Sequence, residues 1–170
     1  WTSTNATACT ATIDWSGAKA TQNTTGETTG NLTVSKTYTI TCSGPGGTSD
    51  PDSVTVYIKP TVDIKANNSD GPVSIDYNTA ATLTWTSTNA TACTATVDWS
   101  GAKAAQNTTG DSTGNLTSAK TYTIVCSGLG GNSNSDSVTV NVNSQKTLYV
   151  AFEPYPNVGA APLNGVDFRI

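Results

Sequence analysis

Residues 1–17 read WTSTNATACTATIDWSG, and residues 85–101 read WTSTNATACTATVDWSG. The correspondence continues to residues 58 and 142, always 84 positions apart, so one module occurs twice in the chain. A unit of this length is too long for a solenoid repeat or a propeller blade. It has the size of a small β-sandwich domain, in which turns recur about every 8–12 residues.

The composition of the 170-residue chain is typical of an all-β protein. Charged residues make up 12% and hydrophobic residues 35%, and Thr, Ser, Asn and Gly are abundant. Thr favours strands because it is β-branched, while Gly, Asn and Ser favour turns. The pattern of apolar residues and turn residues predicts strands at 61–66, 72–77, 80–86, 92–99, 113–117, 120–127 and 136–142. The predicted core of the second copy consists of Leu83, Trp85, Tyr122, Val138 and Val140, with the matching residues in the core of the first.

The charge pattern and the lack of histidine argue against most site chemistry. The sequence contains no His and has a net charge of −4, so it offers no Ser-His-Asp or Cys-His nucleophile and no imidazole ligand. It has no basic run for nucleic acid and no apolar stretch long enough to span a bilayer. We therefore predict no enzyme activity, cofactor, metal, nucleic-acid partner or membrane span in this segment.

Four motifs recur in both copies and resemble a known family. They are Trp-Thr-Ser-Thr-Asn-Ala-Thr-x-Cys, Trp-Ser-Gly, Thr-Tyr-Thr-Ile-x-Cys-Ser-Gly-x-Gly-Gly and Asp-Ser-Val-Thr-Val. They resemble the tandem immunoglobulin-like (Ig-like) modules of large bacterial surface and secreted proteins. The resemblance implies tandem Ig-like sandwiches outside the cytoplasm that serve as spacers, stalks or adhesive units.

The four cysteines allow three pairings, and the repeat favours Cys9–Cys42 with Cys93–Cys126, because each module then carries its own bridge. A zinc site would need closely spaced Cys pairs or His partners, and the sequence has neither. Two disulfides indicate an oxidising compartment, that is, an extracellular, cell-surface or secreted location. Because the first Cys of each copy follows the Trp by eight residues, we expect a bridge unlike the usual one between sheets.

The first repeat is expected to lack strands that the end of the sequence is expected to contain. Residues 61–142 form a complete module, whereas 1–58 lacks a counterpart of 61–84 and is expected to miss its first strands. Residues 147–170 alternate in the same way, and their Gly-x-Ala-Pro-Leu and Asp-Phe resemble the first two strands of a further Ig-like or PKD-like domain. Either the sequence is a slice of a longer array, or 147–170 acts as donor strands that complete 1–58 of a neighbouring subunit. In both cases 1–58 exposes an apolar face and an unpaired edge.

Other polar and aromatic residues have a structural and a functional interpretation. Asp14 and Asp98, with Asp50 and Asp52, are expected to be solvated turn residues. The alternatives are a glycosidase pair, or a Ca²⁺ site formed by Asp50, Asp52 and Asp63. Trp15 and its copy in the second module either pack over the sandwich edge or offer a face to a sugar.

Seven asparagines begin an Asn-x-Ser/Thr sequon and are candidate N-glycosylation sites if the source glycosylates such motifs. They are Asn5, Asn23, Asn31, Asn67, Asn89, Asn107 and Asn115.

The sequence therefore predicts a structural extracellular repeat protein that forms a rod, stalk or filament at the cell surface. Its partners are neighbouring copies or domains of the same protein, with head-to-tail polymerisation by strand complementation as one route. The alternative is a carbohydrate- or surface-binding adhesive module attached to a secreted protein, with glycans as partners.

Overall fold

A computed structural model of the chain describes residues 1–145. All regular structure in that range is β-strand, and the range contains no helix, hence none that could cross a membrane. The all-β prediction is confirmed. The predicted strands in 147–170 lie outside the described residues.

The first repeat forms a single antiparallel sheet. Its strands are β1 (Ala8–Ile13), β2 (Gly17–Lys19), β3 (Lys36–Gly44), β4 (Gly47–Thr48) and β5 (Asp52–Val56). The order is β2-β1-β3-β4, and β5 pairs with the first half of the long strand β3. No second sheet covers it within the described part of the chain.

The second repeat forms two sheets. Its strands are β6 (Thr61–Ala66), β7 (Val73–Ile75), β8 (Thr82–Thr88), β9 (Ala92–Val97), β10 (Gly101–Lys103), β11 (Asn107–Ser112), β12 (Lys120–Gly128), β13 (Gly131–Asn132) and β14 (Asp136–Val142). One sheet has the order β10-β9-β12-β14-β7, with β13 on β12. The other has the order β11-β8-β6. The strands of the first sheet repeat the arrangement of β1 to β5, while the three-stranded sheet has no counterpart in residues 1–58.

A hydrophobic core lies between the two sheets of the second repeat. All five residues predicted to form this core are buried: Leu83, Trp85, Tyr122, Val138 and Val140. Ile64 and Ala66 of β6 complete it from the smaller sheet. The alternation of apolar residues along β8, β12 and β14 therefore identified the inward face correctly.

The chain crosses from one sheet to the other between β6 and β7. Its turn at Asp70-Gly71-Pro72 contains a cis Gly71–Pro72 bond, and Gly71 has a φ of +86°. A Cβ at Gly71 would lie 2.7 Å from Cγ2 of Val138, so a side chain does not fit there. After the turn, β7 pairs in parallel with β14 of the larger sheet.

One predicted strand was wrong. Residues 113–117 hold only an isolated bridge between Leu116 and Thr79, and the strand lies earlier, in β11. The sequence of β11 is NTTGDS, which has no apolar alternation, because it is an edge strand with a register shift between Asn107 and Asp111. Neither β11 nor the short strand β10 carries the hydrophobic pattern on which sequence-based strand prediction depends.

The join between the repeats packs against the second module. Pro60 is buried, and the Lys59 ammonium donates a hydrogen bond to Oδ1 of Asn134 at 2.8 Å. The chain passes so close to Gly130 that a Cβ there would lie 2.2 Å from the carbonyl oxygen of Ile58. The glycine at this hairpin turn therefore makes room for the join.

Candidate functional site

Each repeat has one disulfide, which joins neighbouring strands of a single sheet. Cys9 pairs with Cys42 across β1 and β3, and Cys93 pairs with Cys126 across β9 and β12. The two cysteines of each pair stand directly opposite one another in the ladder. The predicted pairing is confirmed, and so is the expectation that the bridge does not run between two sheets.

Within residues 1–145, no strand covers the inward face of the first repeat. We call Tyr38, Ile40, Val54 and Val56 the open face, because they match Tyr122, Ile124, Val138 and Val140 in the core of the second repeat. Val138 is 1% exposed, whereas Val54 is 61% exposed, and the other three members of the open face are only half-buried. The prediction that the first repeat buries the same core was wrong. The smaller sheet that covers this core in the second repeat has no counterpart in residues 1–58.

The strand edge beside the open face is half paired. Trp1 corresponds to Trp85 of β8, which pairs with β11 on one side and with β6 on the other. Trp1 exchanges two backbone hydrogen bonds with Asn23, at 2.9 and 3.0 Å. This pair matches the pairing of Trp85 with Asn107 of β11 in the second repeat. Within residues 1–145, nothing pairs with Trp1 on the β6 side. The apolar face and unpaired edge that we expected are therefore present.

A groove runs along this edge and has a volume of about 680 Å³. We call it the edge groove, and its walls include Trp1, Ser3, Gly44, Gly46, Asp50 and Asp52. The residues at the corresponding positions of the second repeat lie against the join and β6. The edge groove is thus the place that a strand like β6 would occupy in the first repeat.

The aromatic residues of each repeat form the same cluster. The Trp1 and Trp15 rings meet edge to face at 4.9 Å, Tyr38 follows at 6.3 Å, and the Lys19 ammonium lies 4.2 Å from the Trp15 ring centre. Trp15 also donates from Nε1 to Glu27 at 2.9 Å. One face of the Trp15 ring is therefore occupied by a lysine of the same chain, and the ring also contacts two neighbouring aromatic rings.

The second repeat shows what this aromatic cluster does in a closed module. Trp99 meets Trp85 at 5.1 Å and packs against the core, while the Lys103 ammonium lies 4.0 Å from its ring centre. Trp85 is buried, but Trp1 is only half-buried. The interpretation of Trp15 and Trp99 as edge-packing residues agrees with these contacts.

Asp14 and Asp98 both hold a hairpin in place. Oδ1 of Asp14 accepts from the Lys36 ammonium at 2.8 Å, and its Oδ2 accepts from the Thr37 backbone N–H at 2.9 Å. The hydrogen bond from Lys36, followed by that from Thr37, holds the pKa of Asp14 below its ordinary value. Asp98 has the same partners in the second repeat and its pKa is lowered for the same reasons. Both aspartates lie in turns and are exposed, as expected, and their hydrogen bonds also tie each one to its own module.

The structure does not bring the proposed calcium ligands together. Asp63 forms an ion pair with Lys65 at 3.2 Å on β6 of the second repeat, while Asp50 and Asp52 line the edge groove of the first. Among the residues described, no group of three His, Cys, Asp or Glu side chains is placed to hold a metal ion.

The seven sequon asparagines differ in accessibility. Five are exposed: Asn5, Asn31, Asn67, Asn89 and Asn115. Asn23 and Asn107 are half-buried, and Nδ2 of Asn107, the atom that a glycan would modify, donates to Asp111 at 2.7 Å. Glycosylation of the exposed five remains a prediction.

Comparison of the chain with protein-family models and with curated proteins found no match.

Proposed function

We propose that this chain belongs to an extracellular structural repeat protein that forms a rod, stalk or filament at the cell surface. Its two repeats are tandem Ig-like modules, and strands of a neighbouring module cover the open face of residues 1–58. The partner is thus another copy or domain of the same protein, arranged head to tail.

The single observation that carries this proposal is the contrast between two identical surfaces. The same side chains form a closed core in the second repeat and an open face in the first, as Val138 at 1% and Val54 at 61% exposure show. A sheet with an apolar face and an unpaired edge invites strand addition. Because a head-to-tail contact uses two different surfaces, repeated addition gives a linear assembly rather than a closed dimer.

A further feature supports an extracellular setting. The two disulfides are compatible with an oxidising compartment, where such bonds persist. The carbohydrate-binding alternative has weaker support, because Lys19 already covers one face of Trp15.

Sedimentation velocity of the oxidised 170-residue chain over a range of concentrations tests this proposal. We expect concentration-dependent association and linear particles by electron microscopy, and we expect both to disappear when 147–170 is deleted. Val54→Asp should block association by placing a charge on the open face. Val97→Asp is the matched control, because Val97 is 71% exposed and lies away from that face. A chain that stays monomeric at every attainable concentration would overturn the head-to-tail assembly.

A further inference from the structure

The second repeat shows how a strand is received beside the open edge. There, β6 runs antiparallel to β8 with Ile64 opposite Trp85, so Ile64 reaches the core while the backbone joins the ladder. The backbone N–H of Ile64 also donates to Oδ2 of Asp136 at 2.8 Å. This hydrogen bond to a carboxylate links the incoming strand to the larger sheet and fixes its position along the edge.

Two side-chain contacts precede Ile64 and set the same register. The hydroxyl of Thr61 lies 2.7 Å from that of Thr88, and the Lys59 ammonium donates to Oδ1 of Asn134 at 2.8 Å. Three contacts within six residues therefore fix the register of the strand: one from a lysine, one from a threonine and one from a backbone N–H.

The first repeat has a counterpart for each of these receiving groups. Asp52 corresponds to Asp136, and its Oδ1 accepts from the Ser53 backbone N–H at 3.0 Å, as Oδ1 of Asp136 does from Ser137 at 2.9 Å. That contact orients the carboxylate. Within residues 1–145, its Oδ2 has no protein partner. Thr4 corresponds to Thr88, and the carboxylate of Asp50 stands where the second repeat has Asn134.

The edge groove also has the space that the join requires. At Gly130 the join passes within 2.2 Å of where a Cβ would stand, but at its counterpart Gly46 nothing lies within 4 Å of that point. The space that the join fills in the second repeat is therefore open in the first. The residues that line this open space correspond to those that surround the join in the second repeat.

We propose that the edge groove is a recognition site for an extended strand of this repeat's own type, with the pattern Lys-Pro-Thr-Val-Asp-Ile. Its isoleucine lies opposite Trp1, the backbone N–H of that isoleucine donates to Oδ2 of Asp52, and its threonine meets Thr4. Its lysine forms an ion pair with Asp50, so the groove selects for a cation at that point more strongly than the second repeat does. This inference rests on the proposed function only in that a strand fills the open face.

A synthetic peptide with the sequence of residues 57–84, titrated into the oxidised 170-residue chain by calorimetry, tests the inference. We expect Asp52→Asn to weaken binding by about tenfold or more, because a hydrogen bond to a charged acceptor is lost. Asp136→Asn is the matched control and should leave peptide affinity unchanged, because β6 already fills that site. A peptide N-methylated at the amide of Ile64 removes the same donor without altering the protein, and it should lose the same factor.

The lysine contact has its own test on the two partners. Asp50→Asn in the protein and Lys59→Gln in the peptide should each weaken binding by about two- to fivefold, and combining them should cost little more than either alone. The loss should shrink at high salt, because the pair lies at an exposed rim.

The outcomes separate this inference from the proposed function. Peptide binding that depends on Asp52, in a chain that never self-associates, supports the groove and overturns the assembly through 147–170. Self-association that the 57–84 peptide does not compete with, and that Asp52→Asn does not change, overturns the groove. A peptide of residues 145–170 that binds as tightly as the 57–84 peptide, without dependence on Asp50, would overturn the selectivity for a repeat-type strand.

Discussion

Val54 and Val138 occupy the same position of the repeat, but only Val138 is buried. Replacing each with alanine removes the same two methyl groups from the same kind of strand. The change in strand propensity is therefore shared, and the difference between the two variants reports the covering layer alone. We expect Val138→Ala to cost much more free energy of unfolding than Val54→Ala.

The size of the difference follows from the exposed fractions. Two buried methyl groups are worth roughly 1.6 kcal/mol in transfer free energy, and the cavity left at Val138 raises the cost to about 2–3 kcal/mol. Val54 is 61% exposed, so the transfer cost there falls to about 0.6 kcal/mol and no cavity forms. The two substitutions should therefore differ by about 2 kcal/mol.

Urea unfolding at low protein concentration measures this difference, with hydrogen exchange of β3 and of β12 assigning each loss to its repeat. A second chain carries residues 59–84 placed directly before Trp1, so that the first repeat has the same preceding segment as the second. In that chain the cost of Val54→Ala should rise to match that of Val138→Ala, while the cost of Val138→Ala stays the same.

Two results would refute this reasoning. If Val54→Ala costs as much as Val138→Ala in the original chain, residue 54 is covered and the open face does not exist. If Val54→Ala stays inexpensive after residues 59–84 are added, that segment does not cover the face, and the equivalence of the two repeats fails.

Three smaller predictions follow from local features of the second repeat. The hydrogen bond from Lys120 lowers the pKa of Asp98 from its ordinary 3.8. The ionised Asp98 therefore stabilises the fold above pH 3.8, and this stabilisation is lost as the pH falls through the lowered pKa. Urea titrations between about pH 5 and about pH 2 should show this loss of stability, and Asp98→Asn should make the loss smaller. Val97 has a φ of +65°, a region that disfavours a β-branched residue, so Val97→Asn should raise the unfolding free energy by about 1 kcal/mol in a thermal or urea scan. Gly130→Ala should destabilise the second repeat by more than about 1 kcal/mol through its clash with Ile58, while Gly46→Ala stays within about 0.5 kcal/mol in the same assay until a strand fills the edge groove.

The sequence was sufficient for the features that depend on repetition and apolar alternation. The 84-residue spacing paired Cys9 with Cys42, and the alternation along 80–86 and 136–142 placed Leu83, Trp85 and Val138 in the core. In each case the signal is local or is copied within the chain itself. The same reasoning failed for the first core, because a residue's burial depends on what lies opposite, and the repeat supplies no opposing sheet within residues 1–58.

The polar groups of the edge groove could not be predicted from the sequence for a related reason. Asp52 and Asp136 are followed by the same residues, Ser-Val-Thr-Val, but only the tertiary structure shows that Asp136 accepts a hydrogen bond from Ile64, 72 positions earlier in the chain. Strand β11 was missed because its stability derives from pairing with β8 rather than from its own residues. Both features depend on contacts between residues far apart in the sequence, which the local residue pattern does not reveal.

The position of the disulfides fits a module that receives part of its structure from elsewhere. A bridge between two sheets would need the second sheet in place before it could form. Cys9–Cys42 instead joins β1 to β3 within the sheet that the first repeat already has, and closes a loop of 33 residues in sequence separation. In the chain-entropy model such a loop contributes about 4 kcal/mol by restricting the unfolded state. That contribution does not depend on the covering layer, so it can keep the strands of the open face in register without one.

Double replacement of Cys9 and Cys42 by serine should therefore unfold the first repeat. The same change at Cys93 and Cys126 should leave the second repeat folded but less stable, because its core remains closed. Hydrogen exchange on each variant distinguishes these results, and equal loss of protection in both repeats would contradict the argument.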